Sequence, residues 1–241
     1  VNAEDRGKSC LALLASAQPF AGLPPDALRR VAGGCSRQVA SRGQVLCTKG
    51  QALSGFYVVV SGRVKLSILS EEGGERVLDI LLPGRTFAEA SAFLGRPCPV
   101  QAVSLTESCL LFVGIGRLRE AMQHWPEVAS GLLDLLARRT CGLIADLERC
   151  CLQSAAQRVA GRLLRDAVQD PAQPDQAHLT LPAAKSVVAS SLNLSAETFS
   201  RELRGLSRHG LIRLQRRDID IPSVTRLRGF AGNGTVQDAH L

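Results

Sequence analysis

From about Ser41 to Val113 the apolar positions fall in short runs separated by glycines. Val45-Leu46-Cys47 precedes Gly50, and Phe56-Tyr57-Val58-Val59-Val60 runs up to Gly62. Val64-Lys65-Leu66-Ser67-Ile68 alternates strictly before a turn at Gly73-Gly74, and Val77-Leu78-Asp79-Ile80-Leu81 leads to Pro83-Gly84. Many short strands at this spacing predict a closed or double-layered antiparallel β-structure, not a parallel sheet with crossover helices. Between Arg117 and Cys151 the period becomes helical. Pro126 opens a long Pro-free segment in which Leu132, Leu136, Leu143 and Leu147 step by four, seven and four. That is a coiled-coil-like seam, interrupted by Arg139-Thr140, and it predicts a dimer helix. Residues 1 to about 17 read as a weakly ordered arm turning into a short helix. Gln153 to Asp170 reads as another helix, and Asp170 to Ala177 as a loop.

The stretch Leu179 to Ile221 predicts a helix-turn-helix followed by a hairpin wing. Pro182 sits where a helix would begin, and Val187, Val188, Ala189 and Leu192 form a short apolar face. Asn193-Leu194 leaves a tight turn. Ser195 then suits an N-cap, with Glu197 in the first turn at the positive end of the helix dipole. Phe199, Leu203 and Leu206 share the inward face, which leaves Glu197, Ser200, Arg201 and Arg204 outward. Arg can donate two hydrogen bonds to guanine O6 and N7, Glu can accept from cytosine N4, and Ser can meet a base edge or a phosphate. These are the chemical types a major-groove recognition helix needs. His209-Gly210 closes the helix, and Leu211 to Ile221 alternates as two strands around the basic turn Arg216-Arg217. Ser195, Thr198, Lys185, Arg216 and Arg217 complete the expected DNA-contacting set. From His178 to Arg217 there are seven Lys and Arg against two Glu.

The fold class expected is α+β: an N-terminal antiparallel β-roll over 1–120, a long central dimerisation helix over 121–152, and a C-terminal winged helix-turn-helix over 153–241. The chain of 241 residues carries a formal charge of +7, which favours a polyanionic partner without choosing between nucleic acid and membrane. No apolar run is long enough to cross a bilayer, and the N-terminus lacks a signal-peptide layout, so a cytoplasmic location and no membrane partner are expected. In that compartment the eight cysteines read as free thiols, ligands or redox sensors. One Trp and one Tyr make base-stacking recognition of single strands a poor reading. No Ser-His-Asp order, phosphate-binding Gly loop or metal-ligand spacing stands out, so no enzyme is expected.

A β-roll, a long helix and a winged helix-turn-helix, in that order, resemble the CRP/FNR family of bacterial transcription regulators. The resemblance runs from about Pro19 to Phe230. It rests most specifically on Phe56-Tyr57-Val58-Val59-Val60-Ser61-Gly62-Arg63-Val64, on Gly84-Arg85-Thr86-Phe87-Ala88-Glu89-Ala90, and on Glu197-Thr198-Phe199-Ser200-Arg201. It implies a homodimeric regulator, an activator, that binds double-stranded DNA and RNA polymerase. In the FNR branch a Glu, a Ser and an Arg spaced like Glu197, Ser200 and Arg201 read TTGAT half-sites. Ala196 stands where CRP has a further base-reading Arg. The implied target is therefore TTGAT-N4-ATCAA.

The effector pocket that the resemblance implies contains Phe87, Glu89 and Phe93. Cyclic-nucleotide-binding members hold the ribose with a Glu matching Glu89 and the phosphate with an Arg about ten residues on. Here Ala88 replaces a Gly, and Pro99 stands where that Arg belongs, with Arg96 three places early. Cyclic AMP is therefore not expected, since a buried phosphate without its cation is costly. Iron–sulfur members need clustered N-terminal cysteines, whereas Cys10 stands alone there, so no cluster is expected. The 85–94 loop looks most like the DNR subgroup, which senses nitric oxide through haem, although Ala17-Gln18 occupies the place of that subgroup's paired histidines. Among His124, His178, His209 and His240, His124 is the haem-ligand candidate. The alternatives are a redox- or thiol-responsive regulator of the same fold and a nucleotide-gated regulatory subunit.

Overall fold

The computed structural model describes residues 9–70 and 74–233. The chain forms two compact units, 1–141 and 142–241. The first begins with α1 (Cys10–Ala15) and α2 (Pro25–Ala32), followed by strands β1 (Cys35–Ala40), β2 (Val45–Cys47), β3 (Gly55–Ser61), β4 (Val64–Leu69), β5 (Glu75–Leu81) and β6 (Thr86–Phe87). After the short helix α3 (Glu89–Leu94) come β7 (Gln101–Ser104), β8 (Ser108–Gly114) and α4 (Ile115–His124). Two four-stranded antiparallel sheets result, ordered β1-β8-β3-β6 and β2-β7-β4-β5. Gly73 of the expected turn at Gly73-Gly74 lies outside the described residues, as do residues 1–8 of the 1–17 arm.

The uninterrupted apolar run of β3 has a direct cause. Phe56, Val58 and Val60 pack into one core with α1, α2 and α4, while Tyr57 and Val59 pack between the sheets. Its neighbour β8 divides the same way, with Leu111 and Val113 on one side and Leu110 and Phe112 on the other. Both central strands are buried on two faces, so neither alternates in sequence. Gly55 is required at this seam: a Cβ there would lie 2.2 Å from the Val113 carbonyl oxygen. Strand β1 is absent from the sequence reading because it is an edge strand whose side chains are mostly exposed, which leaves no apolar period.

The helical stretch expected from Arg117 breaks at Trp125. That residue has φ −131° and ψ 97° because the following Pro126 disfavours helical backbone before it. Helix α5 then runs Pro126–Leu152. The second unit holds the end of α5, then α6 (Ala155–Asp166), β9 (Val168–Asp170), β10 (Gln173–Thr180), α7 (Lys185–Ser191), α8 (Ala196–Arg208), β11 (Arg213–Gln215), β12 (Asp218–Ile221) and α9 (Val224–Asn233). Three differences from the sequence reading appear here. Helix α6 stops at Asp166, the expected 170–177 loop is the hairpin β9–β10, and α7 begins at Lys185 and not at Pro182. In β10 only Ala177 and Leu179 are buried, so the hairpin has almost no apolar signature. The core of this unit is built from Val159, Leu163, Val188, Phe199, Leu203 and Ile219, with Leu227 from α9.

Candidate nucleic-acid interface and effector pocket

Helices α7 and α8 are joined by a turn in which Asn193 takes φ 59°, a left-handed conformation that Asn tolerates better than most residues. The Leu194 amide donates back to the Ala189 carbonyl at 3.0 Å, closing α7. Ser195 caps α8: its hydroxyl oxygen accepts from the Thr198 amide at 3.0 Å and its hydroxyl donates to Thr198 Oγ1 at 2.9 Å. Both hydroxyls predicted to meet DNA are thus engaged in ordering the helix terminus. Phe199, Leu203 and Leu206 anchor the inner face.

Glu197, Arg201 and Arg204 are exposed on the outer face and Ser200 is half-buried beside them, as the period predicts. Arg204 Nε donates to the Ser200 carbonyl at 3.3 Å, and Arg201 lies 3.3 Å from Glu202. Arg201, Arg204, Ser207, Arg208 and Leu214 line a groove of about 600 Å³ between α8 and the wing. Arg208 was not singled out from the sequence, although its four-residue step from Arg204 was the available signal. At the wing tip Arg216 has φ 55° and is exposed. Arg217 instead donates from Nη2 to the Leu181 carbonyl at 2.8 Å and accepts the Leu181 amide at 2.9 Å, so it ties the wing to the segment before α7. Lys185 is half-buried at the start of α7.

In the first unit, the predicted pocket residues do not all meet. Phe87 is buried and stacks on Tyr57, with ring centroids 4.9 Å apart, and Phe112 meets Tyr57 edge-on at 5.2 Å. Phe93 is corrected out of this group: it packs on the other side, against the core formed with α1, α2 and α4. Ala88 has φ 71°, a left-handed conformation that costs a non-glycine residue roughly 1–2 kcal/mol. Glu89, 3 % exposed, opens α3 and accepts from the Thr86 hydroxyl. A cation also reaches it. Arg139 of α5 donates to the Thr86 carbonyl at 3.1 Å and stands 3.8 Å from Glu89 Oε1. The loop lacks its arginine, but α5 brings a guanidinium to Glu89.

The thiols of Cys47 and Cys98 lie 3.8 Å apart in the core between the sheets. Burial, followed by the neighbouring Cys98, pushes the Cys47 thiol up to about 12, and burial does the same to Cys35. His124 is exposed at the end of α4. Its Nδ1 is 2.9 Å from the Glu120 carbonyl, and its ring leans on Trp125. Among the described residues no group of three or more His, Cys, Asp or Glu is placed to hold a metal ion.

The predicted dimer seam divides. Leu132 is 3 % exposed and belongs to the core of its own unit together with Val128, so it does not face outward. Leu136 is half-buried, whereas Leu143 and Leu147 are exposed. Leu133 and Ile144, which the sequence reading passed over, are 67 % and 62 % exposed. At 3.6 residues per turn Val128, Leu132 and Arg139 share one face of α5, and Leu133, Leu136, Ile144 and Leu147 share another.

Residues 37–124 match the cyclic nucleotide-binding domain family, and residues 157–230 match the Crp-like helix-turn-helix domain family. A CRP-like cAMP-activated global transcriptional regulator of Mycobacterium tuberculosis is 28 % identical over 216 residues, covering 89 % of this chain and 96 % of that protein. The transcriptional activator protein FnrL of Cereibacter sphaeroides is 27 % identical over 201 residues, covering 79 % of this chain and 78 % of its own. The solved structure of FixK2 from Bradyrhizobium japonicum superposes with a TM-score of 0.72 at 22 % identity, over 81 % of this chain and 96 % of that one, a likeness of fold. The first two of these relatives are named as transcription regulators. No helix among the described residues is long and apolar enough to cross a membrane. With a cyclic-nucleotide-type β-roll ahead of a Crp-like helix-turn-helix, the chain belongs to the CRP/FNR family of DNA-binding transcription regulators.

Proposed function

We propose that the protein acts as a homodimer on the inverted repeat TTGAT-N4-ATCAA, working with RNA polymerase as an activator under the control of the Glu89 pocket. The observation that carries this reading is the outer face of α8, where Glu197, Ser200 and Arg201 stand together on a helix that Ser195 caps and Phe199, Leu203 and Leu206 hold from behind. Two recognition helices presented by a two-fold dimer suit half-sites about one helical turn apart. The stripe Leu133, Leu136, Ile144 and Leu147 supplies an apolar surface for pairing α5 with its copy.

Control follows from Arg139. It sits on the same helix as the stripe and is bonded to the Thr86-Glu89 loop, so a ligand that displaces it from Glu89 acts directly on α5. The DNR resemblance remains a reading of the loop alone, and His124 gives haem-based nitric oxide sensing no support. The thiol-responsive reading has the exposed Cys150 and Cys151 at the end of α5, while the thiols of the Cys47–Cys98 pair are buried and stay protonated at neutral pH, so they react poorly. The favoured reading is a ligand-responsive regulator, because Arg139 links Glu89 to α5.

The test is a binding titration on the palindrome and on a scrambled duplex at two salt concentrations. A bidentate arginine–guanine pair discriminates by about 1–3 kcal/mol, so Arg201→Ala is expected to weaken the palindrome by that amount and random DNA far less. Arg216→Ala should weaken both duplexes alike, because a phosphate contact carries no sequence information. Equal losses on both duplexes for Arg201→Ala would refute the assignment of the recognition helix.

A further inference from the structure

The second unit holds another cleft, of about 430 Å³, whose lining includes Glu148 and Arg149 from the last turns of α5, Gln153 from the link that follows it, Gly161 and Arg165 from α6, and Arg228 from α9. It is distinct from the groove between α8 and the wing, which is lined by Arg201, Arg204, Ser207, Arg208 and Leu214 and shares no residue with it. Three guanidinium groups meet here. Asp146 pairs with Arg149 and lies 3.6 Å from Arg165, sharing a single carboxylate oxygen between them, while Arg228 is close enough to Asp175 to help hold its carboxyl below the usual value. With Arg162 counted, four arginines stand against Asp146, Glu148, Asp166 and Asp175, so the cleft offers guanidinium donors without a net positive charge. The Arg165 guanidinium is held below the ordinary arginine value, first by its burial and then by repulsion from Arg149 and Arg162, with Asp146 and Asp166 offsetting part of this.

The cavity is also open where side chains would otherwise fill it. A Cβ added at Gly161 or Gly232 would meet no atom within 4 Å. Gln153 contributes a buried side-chain oxygen that has no hydrogen-bond partner. A volume of this order suits a small ligand, and convergent guanidinium groups favour phosphate oxygens, which accept their paired N–H donors.

We propose that this cleft is a second ligand site, specific for a small phosphate-bearing molecule and separate from both the DNA groove and the Glu89 pocket. Its walls come from the end of α5, from α6 and from α9, so an occupant bridges the last turns of the long helix and the helices that support the recognition helix. Binding there ties the α5 terminus to α6 through the ligand's phosphate oxygens.

The experiment is calorimetric titration of the full chain with inorganic pyrophosphate at constant ionic strength. One saturable site per chain is expected. Arg165→Gln and Arg228→Gln should each weaken it at least tenfold, and Arg204→Gln, in the DNA groove, should leave it unchanged. Gly161→Leu provides a test that removes no charge: it fills the cleft from a helical position with room for the side chain, and should abolish binding while leaving DNA affinity intact. Absence of saturable heat, retention of binding by either the Arg165 or the Arg228 variant, or a loss with Arg204→Gln would overturn the proposal.

Discussion

At position 99 the chain carries Pro, and no neighbour in the loop supplies the cation that a cyclic phosphate requires. The guanidinium that does reach Glu89, that of Arg139, comes from α5, forty residues further along, and is already engaged by Glu89 and the Thr86 carbonyl. Cyclic AMP would have to displace that pairing to be neutralised, so it is expected to give no saturable heat in calorimetry. Micromolar binding that Arg139→Gln abolishes would show instead that Arg139 takes over the phosphate. The residues of the recognition helix were readable because a period of 3.6 fixes which side chains share a face. Arg139 was not readable, since its role depends on the packing of α5 against α3 and β6. The hydroxyls of Ser195 and Thr198 illustrate the same limit. The capping role of Ser195 follows from its place before the helical period, whereas the bond between the two hydroxyls shows only in the local geometry.

Among the elements, α5 is the one whose reading changes most. Its leucines are spaced as in a coiled coil, yet the face containing Leu132 is occupied by its own unit and the outward stripe is displaced toward Leu133, Ile144 and Leu147. Burying one such side chain contributes about 1.5–3 kcal/mol per chain. Ile144→Asp combined with Leu147→Asp is therefore expected to give monomers in sedimentation. Both side chains are more than half exposed in the single chain, so folding of the protomer should persist. A double variant that still sediments as a dimer would place the interface elsewhere. The strands divide similarly: β2 to β5 announced themselves through glycine-bounded apolar runs, while β1, β9 and most of β10 are polar and are formed by pairing with neighbours.

For the molecule as a whole, net charge says less than its placement. Residues 142–241 carry thirteen Lys and Arg against ten Asp and Glu, no greater an excess than in the rest of the chain. The basic character that matters is confined to α8 and the wing. Salt dependence of DNA binding should therefore follow contacts and not overall charge. Arg216→Ala is expected to reduce the slope of log K against log salt by about 1, whereas Arg42→Gln together with Arg76→Gln, which removes two exposed charges from the β-roll, should leave it unchanged. An equal reduction from the β-roll pair would show that the general field, not the phosphate contacts, sets the affinity.

Periodicity by itself determined the order of β-strands, long helix and helix-turn-helix, and the outward set Glu197, Ser200 and Arg201, because each depends on residues near one another along the chain. Tertiary structure alone decided that Leu132 faces inward, that Phe93 leaves the pocket, that Arg139 enters it, and that Arg149, Arg165 and Arg228 surround one cleft. Each of these joins segments far apart in sequence, and their meeting is set by how helices and sheets pack, for which no local pattern of apolar and polar residues carries a record.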